Sequence, residues 1–385
     1  MGLGNRLDKN KTRFSVNKAV FMRFFALLLV LITTIAAACG GRVSPAETIP
    51  DETDYLSFDG NYKNVILMIG DGMGFNHVEC AEGYYEKKTF LNSSAREHLS
   101  VETNSLYLFG PTDSAAAATA LSTGQKTDNG AIARYNGKDI LTNAERAKAK
   151  GMAVGIIATE GVSGATPAAF SSHADNRNDS DDIFDGQLES GIDLFLGGNR
   201  EYYDERRERI EDSGYGYFND PAADFSSETK VWGAYEIKPL PESDGNGIAL
   251  AELVDKAIAF LENTSENGYF LMIEESYIDK RSHSRRMLEM LERLKSFDLA
   301  AEKVVKLAQD DGNTLVMATA DHETGNLTIP KDADFSKASD SWFRSGSHTA
   351  KNVPLYCFMP VGTFKTDVVD NTQIAEICRY YIEKR

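Results

Sequence analysis

Cysteine, histidine and tryptophan are scarce in this chain: four, six and two among 385 residues. Cys39, Cys80, Cys357 and Cys378 contain no Cys-x-x-Cys pair, so a thiolate metal knuckle and a disulfide scaffold are both excluded. Cys357 lies in an apolar strand pattern and Cys378 in an amphipathic helix pattern. One disulfide among Cys80, Cys357 and Cys378 fits, and so do buried free thiols. There is no Gly-x-Ser-x-Gly stretch, which removes the strained elbow of serine hydrolases. Positive charge is also in deficit, with 41 Lys and Arg against 58 Asp and Glu and a net charge of −17. Such a chain offers no basic footprint for a nucleic-acid backbone. An anionic ligand must therefore be attracted locally, by metals or a few arginines.

One long apolar stretch, Phe24 to Ala38, follows the basic residues Arg6, Lys9, Lys11, Arg13, Lys18 and Arg23. Residues 1–38 thus read as a signal peptide. Cys39 after Ala36-Ala37-Ala38 resembles a bacterial lipoprotein cleavage site, with Ala36 where leucine is usual. The expectation is a membrane-attached protein acylated on Cys39, at the cell surface or in the periplasm. Ordinary cleavage and an uncleaved anchor helix are the other readings. Without this segment, which carries +5, the net charge falls from −17 to −22. Residues 39–60, with Pro45 and Pro50, read as a tether, and 61–385 as the folded domain.

The most informative stretch is Pro111–Gly124, Pro-Thr-Asp-Ser-Ala-Ala-Ala-Ala-Thr-Ala-Leu-Ser-Thr-Gly. Asp113 suits an N-cap and the alanines favour helix. Ser114 then sits at a helix N-terminus, where backbone N–H groups and the dipole favour a phosphate. Taken alone, the stretch also fits a capped core helix with a serine as polar packing.

Other segments end in chemistry. Asn64–Gly70 is an apolar run of the kind that forms a central parallel strand, and it runs into Asp71-Gly72-Met73-Gly74. Ligands of open α/β sheets collect at strand carboxyl ends, where Asp71 stands. Gly151–Thr159 reads as a second buried strand, followed by Gly164-Ala165-Thr166-Pro167-Ala168-Ala169 and then His173 to Arg177. His173 reads as structural. Asp193–Gly198 is another strand and turn, and Asn199–Gly247 reads as irregular rim without chemistry. Ala249–Asn263 has helical apolar spacing. The strand Gly268–Ile273 leads to Glu274, Asp279, Lys280 and His283, residue types that include zinc ligands. Lys280, Arg281, Arg285 and Arg286 make a basic cluster, readable as local charge for an anion or as a solvated helix face. Leu299–Ala308 reads as a helix stopped by Gly312, and Thr314–Ala320 as a strand ending in Asp321-His322. Adjacent Asp and His at a strand end can reach one metal. His348 precedes the strand Val353–Met359, and Ile374, Ile377, Cys378, Tyr381 and Ile382 mark a closing helix.

These motifs, in this order over residues 62–362, resemble the alkaline phosphatases. The resemblance implies an α/β fold, a three-layer α/β/α sandwich around a mostly parallel sheet, with the metal site at the strand C-terminal ends. It implies hydrolysis of phosphate monoesters through a phosphoserine at Ser114, with two Zn2+ and one Mg2+. The first zinc falls to Asp279, His283 and His348, and the second to Asp71, Asp321 and His322, with Ser114 as its further ligand. The magnesium falls to Asp71, Thr166 and Glu274. Arg177, eleven residues after Thr166, takes the role of gripping two phosphate oxygens, and Lys280 that of reaching the phosphate through water. One departure is Gly164, where the family usually has Asp or His to arrange water around the third metal. The implied partners are small phosphorylated substrates, and no nucleic acid. The family is often dimeric, but the usual dimer insertions are missing from this compact form, which leaves a homodimer open. The rival functions are a phosphodiesterase of the same superfamily and a non-catalytic phosphate-binding lipoprotein. The sulfatase pattern is missing after Ser114.

Overall fold

A computed structural model of the chain describes residues 50–240 and 247–384. The signal peptide and the lipoprotein cysteine lie outside the described residues, as does the start of the tether. Among the described residues, no helix is long and apolar enough to cross a membrane.

Ten strands form one sheet: β1 Asn64–Gly70, β2 Glu97–Glu102, β3 Ala153–Ala158, β4 Leu194–Gly197, β5 Gly216–Phe218, β6 Val231–Ala234, β7 Tyr269–Glu275, β8 Thr314–Thr319, β9 Val353–Cys357 and β10 Val368–Asp370. Their spatial order is β10-β2-β9-β8-β1-β7-β3-β4-β6-β5, and only β9 runs against the others. The central strands β1, β7, β3 and β8 are buried along their whole length, as their unbroken apolar runs require in a sheet covered on both faces.

The cover comes from two groups of helices. One contains α2 Ser114–Thr123, α3 Asn143–Ala149, α4 Ala165–Ser171 and α8 Asn371–Glu383. The other contains α1 Phe75–Tyr84, α5 Leu250–Thr264, α6 Tyr277–His283 and α7 Met287–Asp311. Helices of both groups pack on β7, one group to each face, so the architecture is an α/β/α sandwich.

The register positions the site. Ile69 lies opposite Glu274 on one side and Thr319 on the other, and Glu274 lies opposite Ala158. Four central strands therefore end level with one another. The residues that follow them, from Asp71, Glu160 and Asp321 to the α6 turn, emerge along one edge.

Three expectations are corrected. The helix expected at Leu299–Ala308 is only the last part of α7. Met287, Met290, Leu291, Leu294 and Phe297 extend its buried stripe by three turns, and Gly312 ends it at φ 65°. The rim expected at Asn199–Gly247 is in part regular: it supplies β5 and β6, which close the sheet around buried Trp232, packed by Phe184, Phe195, Tyr203 and Tyr215. The tether expected at 39–60 is docked at its C-terminal end. Leu56–Phe58 pairs antiparallel with Gly362–Phe364, and Tyr55 and Leu56 are buried. Cys80, Cys357 and Cys378 are buried, unbridged thiols.

Candidate active site

Helix α2 presents Ser114 for local reasons. Asp113 accepts a hydrogen bond from the Ala116 N–H at 3.0 Å, and Gly124 closes the helix at φ 78°. The Asp113 carboxylate also accepts from the Gly130 N–H and pairs with Arg177 Nη1 at 3.2 Å. One side chain thus caps the helix that carries the serine and braces the arginine beside it. Ser114 is buried, with Oγ 3.2 Å from His322 Nε2.

The turn after β1 explains Asp71-Gly72. Gly72 has φ +78°, and a Cβ there would meet the Cα of Asp279 at 2.8 Å. Glycine alone lets this turn lie against α6. The Gly72 N–H donates to Asp321 Oδ1 at 3.0 Å, which ties the end of β1 to the end of β8.

Three histidines converge by their Nε2 atoms. The Nδ1 of His283 is 2.8 Å from the Gly346 carbonyl, and that of His348 is 2.9 Å from the Thr112 carbonyl. A carbonyl only accepts, so each Nδ1 carries a proton, and in the neutral ring each Nε2 presents a lone pair. Yet these two Nε2 atoms are 3.1 Å apart, and that of His283 is 3.2 Å from Asp279 Oδ2. Thr324 Oγ1 donates to Asp279 Oδ1 and lies 3.2 Å from His322 Nδ1, so its hydroxyl accepts from that ring. The Nε2 of His322 therefore also presents a lone pair, 3.2 Å from Asp321 Oδ2 and 3.6 Å from Asp71 Oδ1. Lone pairs and carboxylates this close repel one another unless a cation lies among them. The donor set, imidazole nitrogen with carboxylate oxygen and each ring fixed from behind, is that of zinc.

Among the described residues, two donor groups are close enough to share an ion. Ligand atoms of Asp279, His283 and His348 lie within 4.8 Å of one another, as do those of Asp71, Asp279 and His322. The first group is the expected set. In the second Asp279 appears, while Asp321 stands beside His322 at 3.2 Å. Asp279 thus faces both positions.

Beyond Asp71 a region of oxygen donors begins. Glu274 Oε2 accepts from Ser276 Oγ at 2.6 Å, but Glu274 Oε1, Thr166 Oγ1 and Asp71 Oδ1 are buried with no hydrogen-bond partner. Burial raises the Asp71 pKa well above its ordinary value, and Asp321, Asp279 and Glu274 add to it. Burial also raises that of Glu274, with Glu160 as the largest neighbouring charge. Buried like charges with orphaned oxygens fit a hard cation such as magnesium.

Arg177 is tied to the serine helix through the Asp113 carboxylate. Lys280 pairs with Glu160, a carboxylate that sequence reasoning left out. Of the other basic residues in the cluster, Arg281 pairs with Glu289 and Arg285 and Arg286 are exposed. His173 is structural in its contacts, held between the Ala133 carbonyl and Glu145. Thr324 and Glu160 are the two site residues the motifs did not single out. Glu160 had a signal, since it follows a buried strand as Asp71 does.

Comparison with known proteins identifies the family. The family model for alkaline phosphatase matches residues 62–224 and 241–332. Alkaline phosphatase 3 of Bacillus subtilis (strain 168) is 32% identical over 361 residues, covering 88% of this chain and 76% of that protein. The alkaline phosphatase of the Antarctic bacterium TAB5 superposes with a TM-score of 0.71 at 29% identity, covering 84% of this chain and 99% of that one. A histidine-to-glutamate variant of the TAB5 enzyme, with magnesium bound in its M3 site, matches at 29% identity and a TM-score of 0.70, over 83% of this chain and 98% of that one. With this fold and these relatives, the chain is a phosphatase and belongs to the alkaline phosphatase family.

Proposed function

We propose that this phosphatase hydrolyses phosphate monoesters through a phosphoserine at Ser114. The observation that carries the reading is the approach of Ser114 Oγ to 3.2 Å from His322 Nε2, at a helix N-terminus beside Arg177. In the first half-reaction Ser114 loses its proton to solvent, and Oγ bonds to phosphorus. The ester P–O bond breaks, and the alcohol leaves with a proton from water. In the second, water attacks phosphorus and the Oγ–P bond breaks. Serine regains its proton and inorganic phosphate departs. The α2 dipole and its free N–H groups favour the phosphoryl oxygens at Ser114. Arg177, held from behind by Asp113, offers its planar guanidinium to two of those oxygens.

Asp279, His283 and His348 would hold one zinc, Asp71, Asp321 and His322 a second, and Asp71, Thr166 and Glu274 a magnesium. Bound there, these ions supply the positive charge that lowers the pKa of the serine hydroxyl and of the leaving alcohol. The magnesium in the M3 site of the TAB5 variant supports the third position.

The test is hydrolysis of a chromogenic monoester and of the matching diester by the full chain, from about pH 6 to about pH 10. Monoester turnover should require zinc and should be lost in Ser114→Ala. Arg177→Ala should lower it by roughly 10²-fold or more, the scale for one charge-stabilising donor. Preference for the diester, or full turnover in Ser114→Ala, would overturn the reading.

A further inference from the structure

Gly164 needs an explanation that its backbone does not give. Its φ of −59° and ψ of 162° are open to any residue. What excludes a side chain is space. A Cβ at Gly164 would lie 2.3 Å from Glu160 Oε1 and 2.7 Å from Glu160 Cδ. The carboxylate of Glu160 fills the volume that a residue at 164 would occupy, directly before Ala165 and Thr166.

Glu160 is held there. Its N–H donates to Ser276 Oγ at 3.3 Å, the same hydroxyl that donates to Glu274 Oε2 at 2.6 Å. Its carbonyl accepts from the Gly198 N–H at 2.7 Å. A Cβ on Gly197 would meet that carbonyl at 2.9 Å, and one on Gly198 the Thr159 carbonyl at 2.6 Å, so two glycines let the neighbouring turn close over this segment. Glu160 Oε2 pairs with Lys280 Nζ. The other carboxylate oxygen lies on the Gly164 side. The Glu160 charge acts on Asp71 and Glu274, whose Oδ1 and Oε1, like Thr166 Oγ1, are buried without a hydrogen-bond partner.

We propose that Glu160 replaces the missing side chain at 164: one carboxylate oxygen completes the oxygen cage of the magnesium position, and the other positions Lys280. The inference rests on the phosphatase reading for its third metal, and it assigns that site a residue from the preceding strand end rather than from the Thr166 turn. All the groups then facing the ion, those of Asp71, Thr166, Glu274 and Glu160, are oxygen donors, as magnesium prefers. Gly164 and Glu160 act as a pair, since a longer residue at 164 is compatible only with a shorter one at 160.

The test is magnesium binding to the zinc-loaded full chain, read by calorimetry and by the magnesium-dependent rise in Tm. Zinc content serves as the control for an intact site. Glu160→Gln should weaken magnesium roughly 10- to 100-fold, the range for losing one supporting ligand, and leave zinc in place. Lys280→Gln should not weaken it, which separates a role at the ion from a simple ion pair. Gly164→Asp alone should bind magnesium poorly because the two side chains collide. Glu160→Ala with Gly164→Asp should recover what Glu160→Ala loses, a coupling that only neighbours show. Magnesium affinity unchanged in Glu160→Gln, or equal losses in Glu160→Gln and Lys280→Gln, would overturn the proposal. Neither result bears on whether the wild type turns over a monoester, so the two readings fail separately.

Discussion

A single hydroxyl links the two zinc-type donor groups. Thr324 donates to Asp279 and accepts from His322, so it fixes a carboxylate of one group and a ring tautomer of the other. Thr324→Val keeps the shape and removes both bonds. It should lower zinc affinity by roughly 10- to 100-fold with the fold intact, measured by competition with a chelating dye. Unchanged affinity would show that the tautomer is set elsewhere. The threonine was in plain view two residues after His322, but its partner Asp279 is 45 positions away. Asp71, Asp321 and His322 were legible because each follows an apolar strand. Glu160 follows one too, yet only the collision with a Cβ at Gly164 gives it a meaning.

At the scale of elements, α3 is secured by a capping box. The Thr142 hydroxyl accepts from the Glu145 N–H, and the Glu145 carboxylate accepts from the Thr142 N–H. The same carboxylate reaches His173, beyond α4, and joins the two helices. Burial would lower the His173 pKa, but Glu145 and the Ala133 carbonyl outweigh it and raise the value above 6.5. A raised histidine favours the folded state while it is protonated. Its contribution is full below the unfolded value near 6.5 and is lost as pH rises through the higher folded value. His173→Gln should therefore lower the denaturation midpoint at about pH 6 and less at about pH 9. An equal deficit at both would mean that the ring acts by packing alone. Elements of this kind are visible in sequence when one stripe or one cap defines them. Strands β5 and β6 were not, because strands of three and four residues have little pattern of their own and are fixed by the aromatic cluster around Trp232.

For the whole molecule, the described body begins before the expected boundary. Asp51 accepts from the Tyr380 hydroxyl, Tyr55 donates to Glu376, and Leu56 is fully buried against the far end of the chain. Starting the protein at residue 50 should preserve stability. Starting it at residue 61 should cost about 3 kcal/mol or more, since two large side chains leave the core. Denaturant titration of the two proteins checks this, and equal midpoints would return residues 50–60 to the tether.

The sequence by itself determined the strand ends, the capped serine helix and the identity of nearly every polar group at the site. Those features are local, since an apolar run, an N-cap or an Asp-His pair needs no distant partner to be recognised. Tertiary structure decided which donor groups come within reach of one ion, which nitrogen of each ring faces inward, and what fills the space at Gly164. Such relations depend on register between strands far apart in the chain and on the volume left between side chains. Neither quantity is written in any one stretch of residues.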